Sequence, residues 1–302
     1  VHAILIDVEY DFDRFSFAAE APPFLLPIVG RTLLDRSVEW LADLQPERLS
    51  LVTKRDLNAY PGAREAVAAL DLKVFTDTAA AMRAGPSRSS MVLLKVNLHP
   101  LPNARRALAA HESAGGVLSH FRGTLKTGPG VYTYGSPVLF FVSSRGAQAL
   151  QGRPLDRPLA QIPRILRERG VVSAALEVDR PIVEVNCPFA LYDGNLGSLA
   201  EYRYELYGRG LRPVKPNLWA GEGVDVGDVE FDPRGGLVVV GANTRFEGRT
   251  ALRGPTVIGA DVVVGEGSCI HRGLVLDGSA LPPESFVARA VVSARLHEQV
   301  GN

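Results

Sequence analysis

The sequence predicts an α/β domain with a mainly parallel sheet, followed by an all-β coil built from six-residue repeats. Three observations carry this. Up to about residue 205, short apolar runs alternate with helical patterns. From about residue 208 the chain turns rich in Gly, Val and Pro and loses its helix signals. Within that tail Val240, Phe246, Leu252, Ile258, Val264, Ile270 and Leu276 recur every six residues. The expected domains are residues 1–210 and 211–302.

The elements follow in order. "HAILIDV" is a strand. In "LLPIVGRTLLDRSVEWLADL" Pro27 breaks an apolar run, Gly30 turns the chain, and Leu33, Leu34, Val38, Leu41 and Leu44 fall at helical spacing. "RLSLVTK" is a strand and "GAREAVAAL" a short helix. "LKVFTD" and "SMVLLKVN" are strands. "LPNARRALAAHESAG" is a helix ending at Gly115, and "GGVLSHF" is a strand. "PVLFFVSS" is a continuous apolar strand, the pattern of a strand covered on both faces. "LAQIPRILRERG" is helical, and "EVNCPFALYDGNLGSLAEYRYEL" passes from a strand through Pro188 into a helix.

Composition narrows the partners. The chain has 302 residues, 46% apolar and 22% charged, the range of a soluble globular protein. Its 33 basic and 33 acidic residues cancel, which argues against nucleic acid as the main partner. No apolar run reaches membrane-spanning length. "VHAILIDVEY" has neither a basic stretch nor a long apolar one, so no leader peptide is expected. Cys187 and Cys269 stand far apart, with no further ligand at metal-binding spacing. A reducing cytoplasm is the expected location.

Within the repeat, a small or β-branched residue stands two positions before most of the aliphatic ones: Thr244, Thr250, Thr256, Val262 and Ser268. Gly241, Gly259 and Gly265 follow three of them. This resembles the hexapeptide repeat of left-handed parallel β-helices. There, three repeats make one triangular coil, and the aliphatic residue points inward, where a charge would be costly. The resemblance implies three to four coils, with "DPRGG" at 232–236 as an interrupting loop and "PPES" at 282–285 capping or bending the far end. Open ends and flat faces imply a homo-oligomer formed through the β-helix.

An α/β domain joined to such a coil, together with "LLPIVGRTLL" at 25–34, resembles the sugar-1-phosphate nucleotidyltransferases. Their motif runs roughly G-x-G-T-R-L, a spacer, then K-P-L-L-P-V-G-G-R-P-L-L. "MVLLKVNLHP" takes the place of the strand that ends in one metal-binding Asp. "VEVNCPFALYDGN" takes the place of the segment that carries the second. The resemblance implies a Rossmann-like domain that joins a nucleoside triphosphate to a sugar phosphate with Mg²⁺, releasing pyrophosphate. It implies Leu26, Pro27 and Gly30 at the rim of the nucleotide cleft and Asn97 and Glu184 at the metal. Arg14, Arg31 and Lys126 are the candidate cations for the reacting phosphates.

The reactive positions depart from that pattern. The glycine-rich loop, whose N–H groups would cradle phosphate, is replaced by Asp7, Glu9, Asp11 and Asp13 among Tyr10, Phe12, Phe15 and Phe17. Four carboxylates repel a triphosphate unless metals sit between them. Pro23 stands where the family has Lys. Asn97 offers a carbonyl but no charge to a hard cation, while Glu184 keeps its carboxylate. Ser136, Pro137 and Val138 replace N-A-G. The expectation is a degenerate catalytic site, with a role in binding a nucleotide sugar or sugar phosphate, as a regulatory or scaffold subunit beside an active paralogue. The alternative is an active Mg²⁺-dependent enzyme in which the acidic residues at 7, 9, 11 and 13, alternating as on one strand face, supply ligands. A solvated edge or turn is the simpler reading of those four.

Other candidates have plain readings. His271 is placed to serve as the base of a hexapeptide acyltransferase, and a surface His is the simpler reading. His99 and His111 read as helix-cap or surface residues, and Cys187 as a small buried hydrophobe. Lys95, inside an apolar strand, either snorkels at its end or faces the cleft. Arg31 opens a helix and reads as a structural cap more than a substrate contact.

Overall fold

The computed structural model describes residues 1–7, 21–85, 89–128, 131–151, 153, 155, 157–171, 173–176, 181–295 and 297–300. They form two compact units. The first comprises Val1–Leu26, Thr32–Lys126 and Gly130–Asn186; the second comprises Pro27–Arg31, Thr127–Pro129 and Cys187–Asn302. The longest piece of the second unit starts at Cys187.

In chain order the elements begin with β1 (His2–Ile6), β2 (Pro27–Ile28), β3 (Arg31–Thr32), α1 (Leu33–Ala42), β4 (Arg48–Val52), α2 (Ala63–Ala69) and β5 (Lys73–Phe75). Next come α3 (Thr78–Ala84), β6 (Met91–Lys95), β7 (Leu98–His99), α4 (Ala104–Ser113), β8 (Leu118–Gly128) and β9 (Val131–Val142). α5 (Ser144–Leu150), α6 (Pro158–Glu168), β10 (Ser173–Ala175) and β11 (Ile182–Glu184) complete the first unit. One mixed sheet runs β5-β4-β1-β6-β9-β8-β11-β7, with β10 beside β8. β5, β4, β1 and β6 are parallel, and β9 is antiparallel to β6. β11 is parallel to β8 and antiparallel to β7.

Both faces of the sheet are covered. Ala3 and Leu5 of β1 join one core with Leu51, Leu94 and Phe141, while Ile4 and Ile6 join the other with Leu93 and Phe140. That is period-two alternation with no polar face, hence the unbroken apolar runs in the sequence. α1 starts where Thr32 and Asp35 form a reciprocal capping box. It buries Leu33, Leu34, Trp40 and Leu41. The β2–β3 hairpin, α3, α5, β7 and β10 are not anticipated by the sequence reading. α3 is "TAAAMRA", almost without an apolar stripe, and its clearest signal is Asp77, which accepts the Ala80 N–H.

The second unit begins with α7 (Pro188–Ser198) and continues through β12 (Arg212–Lys215), β13 (Leu218–Ala220), β14 (Val229–Asp232), β15 (Val238–Val240) and β16 (Arg245–Phe246). β17 (Thr250–Arg253), β18 (Thr256–Ile258), β19 (Val263–Val264), β20 (Cys269–His271) and β21 (Leu274–Val275) follow. The last strands are β22 (Ala280–Leu281), β23 (Phe286–Ala288), β24 (Ala290–Val292) and β25 (His297–Gln299). From β13 to β24 they make three parallel ladders, β13-β15-β18-β21-β24, β14-β17-β20-β23 and β16-β19-β22, visited in rotation. β12 and β25 close the first ladder as antiparallel edges.

The interior is apolar: Val240, Leu252, Ile258, Val264 and Ile270 are buried in one cluster. Thr244 and Thr256 are buried at the corners, where each hydroxyl donates to a main-chain carbonyl. The six-residue phase holds to Ile270 and then slips. Ile258 pairs with Val275, Val264 with Leu281 and Ile270 with Val287, so Val275 rather than Leu276 takes the inward position. The turn at Arg272–Gly273 is one residue short, and the frame shifts with it. "PPES" does not end the coil. It turns β22 into β23, and Pro282 O accepts from Ser268 and Ser285 hydroxyls. "DPRGG" lengthens one coil: Val229 pairs with Thr250, whereas Ala251 pairs with Cys269, eighteen residues on.

Candidate functional site

In an open α/β sheet, ligands meet the carboxyl ends of the parallel strands. Asp7 after β1 and Lys95 at the end of β6 lie at such ends. Asp7 follows β1, is 3% exposed, and its N–H donates to Val52 O. Its Oδ2 accepts from the Thr53 hydroxyl at 2.8 Å and lies 3.2 Å from Arg55 Nε. Of the acidic segment, Asp7 is therefore an anchored, paired carboxylate rather than a solvated one. Glu9, Asp11, Asp13 and Arg14 lie outside the described residues.

Lys95 ends β6, and its Nζ lies 2.7 Å from Glu184 Oε2 on β11; the two side chains are 7% and 6% exposed. Lys95 thus faces inward and does not snorkel. Gly123 makes room for the pair, since a Cβ there would stand 3.0 Å from Glu184 Oε1. Asn97 is fully buried; its Nδ2 faces Val185 O at 3.4 Å, and its O accepts the Val185 N–H at 2.7 Å. Asn97 thus lies in the turn between β6 and β7, tied to Val185 next to Glu184 on β11, and Lys95 places an ammonium on the Glu184 carboxylate. Mg²⁺ prefers several oxygen ligands with carboxylate among them. Among the described residues no group of three or more His, Cys, Asp or Glu is placed to hold a metal ion. The Lys95–Glu184–Asn97 set does not fit a divalent cation, because the charge it would neutralise is already paired.

A second construction lies within the second unit. β2 and β3 form a hairpin whose central residues, Val29 and Gly30, have φ of 50° and 73°. Two successive positive φ values suit a tight hairpin, yet a β-branched residue is strained there. Asn195 of α7, fully buried, clasps this turn. Its Oδ1 accepts the Val29 N–H at 2.7 Å, and its Nδ2 donates to Pro27 O at 2.8 Å and Leu191 O at 2.9 Å. Pro27, Val29, Gly30 and Asn195 line a cavity of about 230 Å³. Val239, Val257 and Leu274 also line it, with Asp277. Burial pushes the Asp277 carboxyl above the ordinary aspartate range, against a hydrogen bond from Ala260 N–H; the nearby Asp261 adds to the rise. Nothing in the sequence reading singled out Asn195, since a lone Asn in a helix carries no motif.

The remaining candidates scatter. Leu26 is buried, and its carbonyl accepts the Leu33 N–H that opens α1. Arg31 lies on β3, half-buried, and Lys126 lies on β8. Pro23 starts a single 3₁₀ turn. His99 and His111 are not surface groups: they are 4% and 7% exposed. His111 Nδ1 lies 2.9 Å from the Ser119 hydroxyl, and its ring stacks on Phe141, so it belongs to the core. Burial lowers its pKa. Cys187 is half-buried and caps α7, where its sulfur accepts the Ala190 N–H. His271 is half-buried on β20.

No protein-family model matches the sequence, and no curated protein matches it. Among solved structures, the chain is similar to a Bacillus anthracis protein assigned as a glucose-1-phosphate thymidylyltransferase and solved in complex with sucrose. That likeness has 13% identity and a TM-score of 0.47, and it covers 65% of this chain and 94% of that one.

Proposed function

We propose that this chain is a sugar-1-phosphate nucleotidyltransferase-like protein that has given up nucleotidyl transfer and binds a nucleotide sugar or sugar phosphate. Its role is regulation or scaffolding, in the cytoplasm, as a homo-oligomer or beside an active paralogue. The three-ladder coil of the second unit is, on this reading, a left-handed hexapeptide β-helix through which copies assemble. The observation that carries the reading is the Lys95–Glu184 ion pair. Nucleotidyl transfer needs cations that neutralise charge developing on phosphate. Here Glu184 is held by an internal ammonium, and Asn97 adds no negative charge. The motif "LLPIVGRTLL" supports the family reading, because it keeps the strand-to-helix turn without the glycine loop in front of it.

Thermal unfolding tests the binding half of this proposal. A ligand that binds only the folded state stabilises it by about 2.7 kcal/mol at a hundred times its Kd. With excess pyrophosphate present to saturate any general phosphate binding, a nucleotide sugar or hexose 1-phosphate raises the melting temperature by several degrees, with or without Mg²⁺. No shift from any of a panel of nucleotide sugars and sugar phosphates contradicts it.

A further inference from the structure

The second unit carries a stack of basic side chains along one corner of its coil. Arg253 ends β17, His271 ends β20 and Ala288 ends β23, and the three are Cα partners across the ladder. Arg272 and Arg289 come next in the chain. Their N–H groups donate to the carbonyls of Arg253 and His271, each at 3.1 Å. Ladder strands stand about 4.8 Å apart, so the positions of Arg253, Arg272 and Arg289 climb three successive rungs in roughly 10 Å. All three arginines are exposed and His271 is half-buried. None of the three pairs with a carboxylate among the described residues. Their mutual proximity shows in their neighbours. The His271 pKa is lowered, first by burial and then by the charges of Arg272, Arg253 and Arg289. The Tyr192 phenol on α7 is raised by burial, against the charge of Arg272, a hydrogen bond with the Arg272 side chain and the charge of Arg289; Asp193 contributes least.

The backbone gives a second, independent indication. Arg272 and Arg289 have φ of 52° and 48°. This left-handed region favours Gly, Asn and Asp. Other turns of the coil obey that preference with Asn217, Asn243, Asp261 and Gly278, and Glu284 is the other departure. Two arginines stand one rung apart at positions the backbone would give to asparagine, and one of them, Arg272, turns its side chain onto the Tyr192 phenol. Such departures mark functional positions.

We propose that Arg253, Arg272 and Arg289, with His271 and Tyr192 beside them, form a binding site for the diphosphate group of a small phosphorylated metabolite. The guanidinium fork matches phosphate oxygens in pairs, and three forks over three rungs suit two linked phosphates better than one. The patch is confined to one corner of a chain whose formal charges cancel, whereas nucleic acid is met by a longer basic track. The site lies within the second unit and does not depend on the fate of the Lys95–Glu184 pair.

Calorimetric titration of the full chain tests this with inorganic phosphate, pyrophosphate, a nucleoside diphosphate and a single-stranded oligonucleotide. Pyrophosphate and the nucleoside diphosphate bind at least tenfold more tightly than phosphate. Arg272→Asn with Arg289→Asn weakens both at least tenfold without lowering the melting temperature, because Asn suits the backbone. Arg253→Glu weakens them further, and its circular dichroism spectrum stays that of the parent. Three results overturn the proposal: no pyrophosphate binding at millimolar concentration, unchanged affinity in the double Asn variant, or an oligonucleotide bound more tightly than pyrophosphate.

Discussion

The Lys95 ammonium sits 2.7 Å from the Glu184 carboxylate, and each side chain is more than nine-tenths buried. Burying either charge alone is expensive, and the pair persists because each removes the other's cost. Lys95→Met should therefore destabilise the fold by about 3–5 kcal/mol, the range for an uncompensated buried charge. Adding Glu184→Leu to that variant should restore most of the loss. Urea unfolding of the two single variants and the double variant measures this coupling. Additive losses would mean that the pair does not act as a unit.

The Asn195 clasp predicts a graded series. Asn195→Ala leaves the Val29 N–H and the Pro27 carbonyl without their partner and should cost about 1–3 kcal/mol. Asn195→Asp should cost more, since it keeps the acceptor for Val29 but turns a second oxygen toward two carbonyls. Chemical denaturation ranks the two. If Asp is tolerated better than Ala, the assigned amide orientation is wrong.

The phase slip in the coil predicts a contrast between adjacent residues. Val275 is fully buried in the apolar cluster of the coil, whereas Leu276, 9% exposed, stands outside that cluster. Val275→Asn buries an amide without a partner and should cost about 2–4 kcal/mol more than Leu276→Asn. Equal losses, or the reverse order, would restore the uninterrupted six-residue frame.

His2 gives the fold a pH dependence. Its pKa is lowered to about 4, first by burial, then by the charges of Arg48 and the amino terminus, against Glu47. Above pH 6.5 the residue is neutral folded and unfolded. Between 6.5 and about 4 only the unfolded chain takes the proton, so stability falls as pH falls through that window and levels off below it. His2→Gln should make the decline between pH 7 and 4.5 shallower, as read from urea midpoints. An unchanged slope would assign it to other groups, such as His111 and His120, which burial also lowers.

Where one residue type decides, the sequence is readable. The runs Ala3–Ile6 of β1, Met91–Leu94 of β6 and Val138–Val142 of β9 are apolar throughout because both sheet faces are covered. The inward residues up to Ile270 fall in the observed frame, because each coil there is eighteen residues long. The slip after Ile270 was not legible: Leu276 is as apolar as Val275, and only the short turn at Arg272 tells them apart. The Lys95–Glu184 pair was not legible in the sequence. The ion that Glu184 faces depends on which way the Lys95 side chain runs, and strand periodicity does not decide that in an all-buried strand. Asn195 and the arginine corner stayed hidden because their partners are distant in the chain.

The central claim is that Lys95 on Glu184 stands in place of catalytic metal. Pyrophosphate release is its most direct test, with the pure protein, each nucleoside triphosphate, a panel of sugar 1-phosphates and Mg²⁺. The account predicts no turnover above a protein-free control. Robust turnover that disappears in Glu184→Ala would contradict it, and would make the chain a working Mg²⁺-dependent nucleotidyltransferase with an altered phosphate loop.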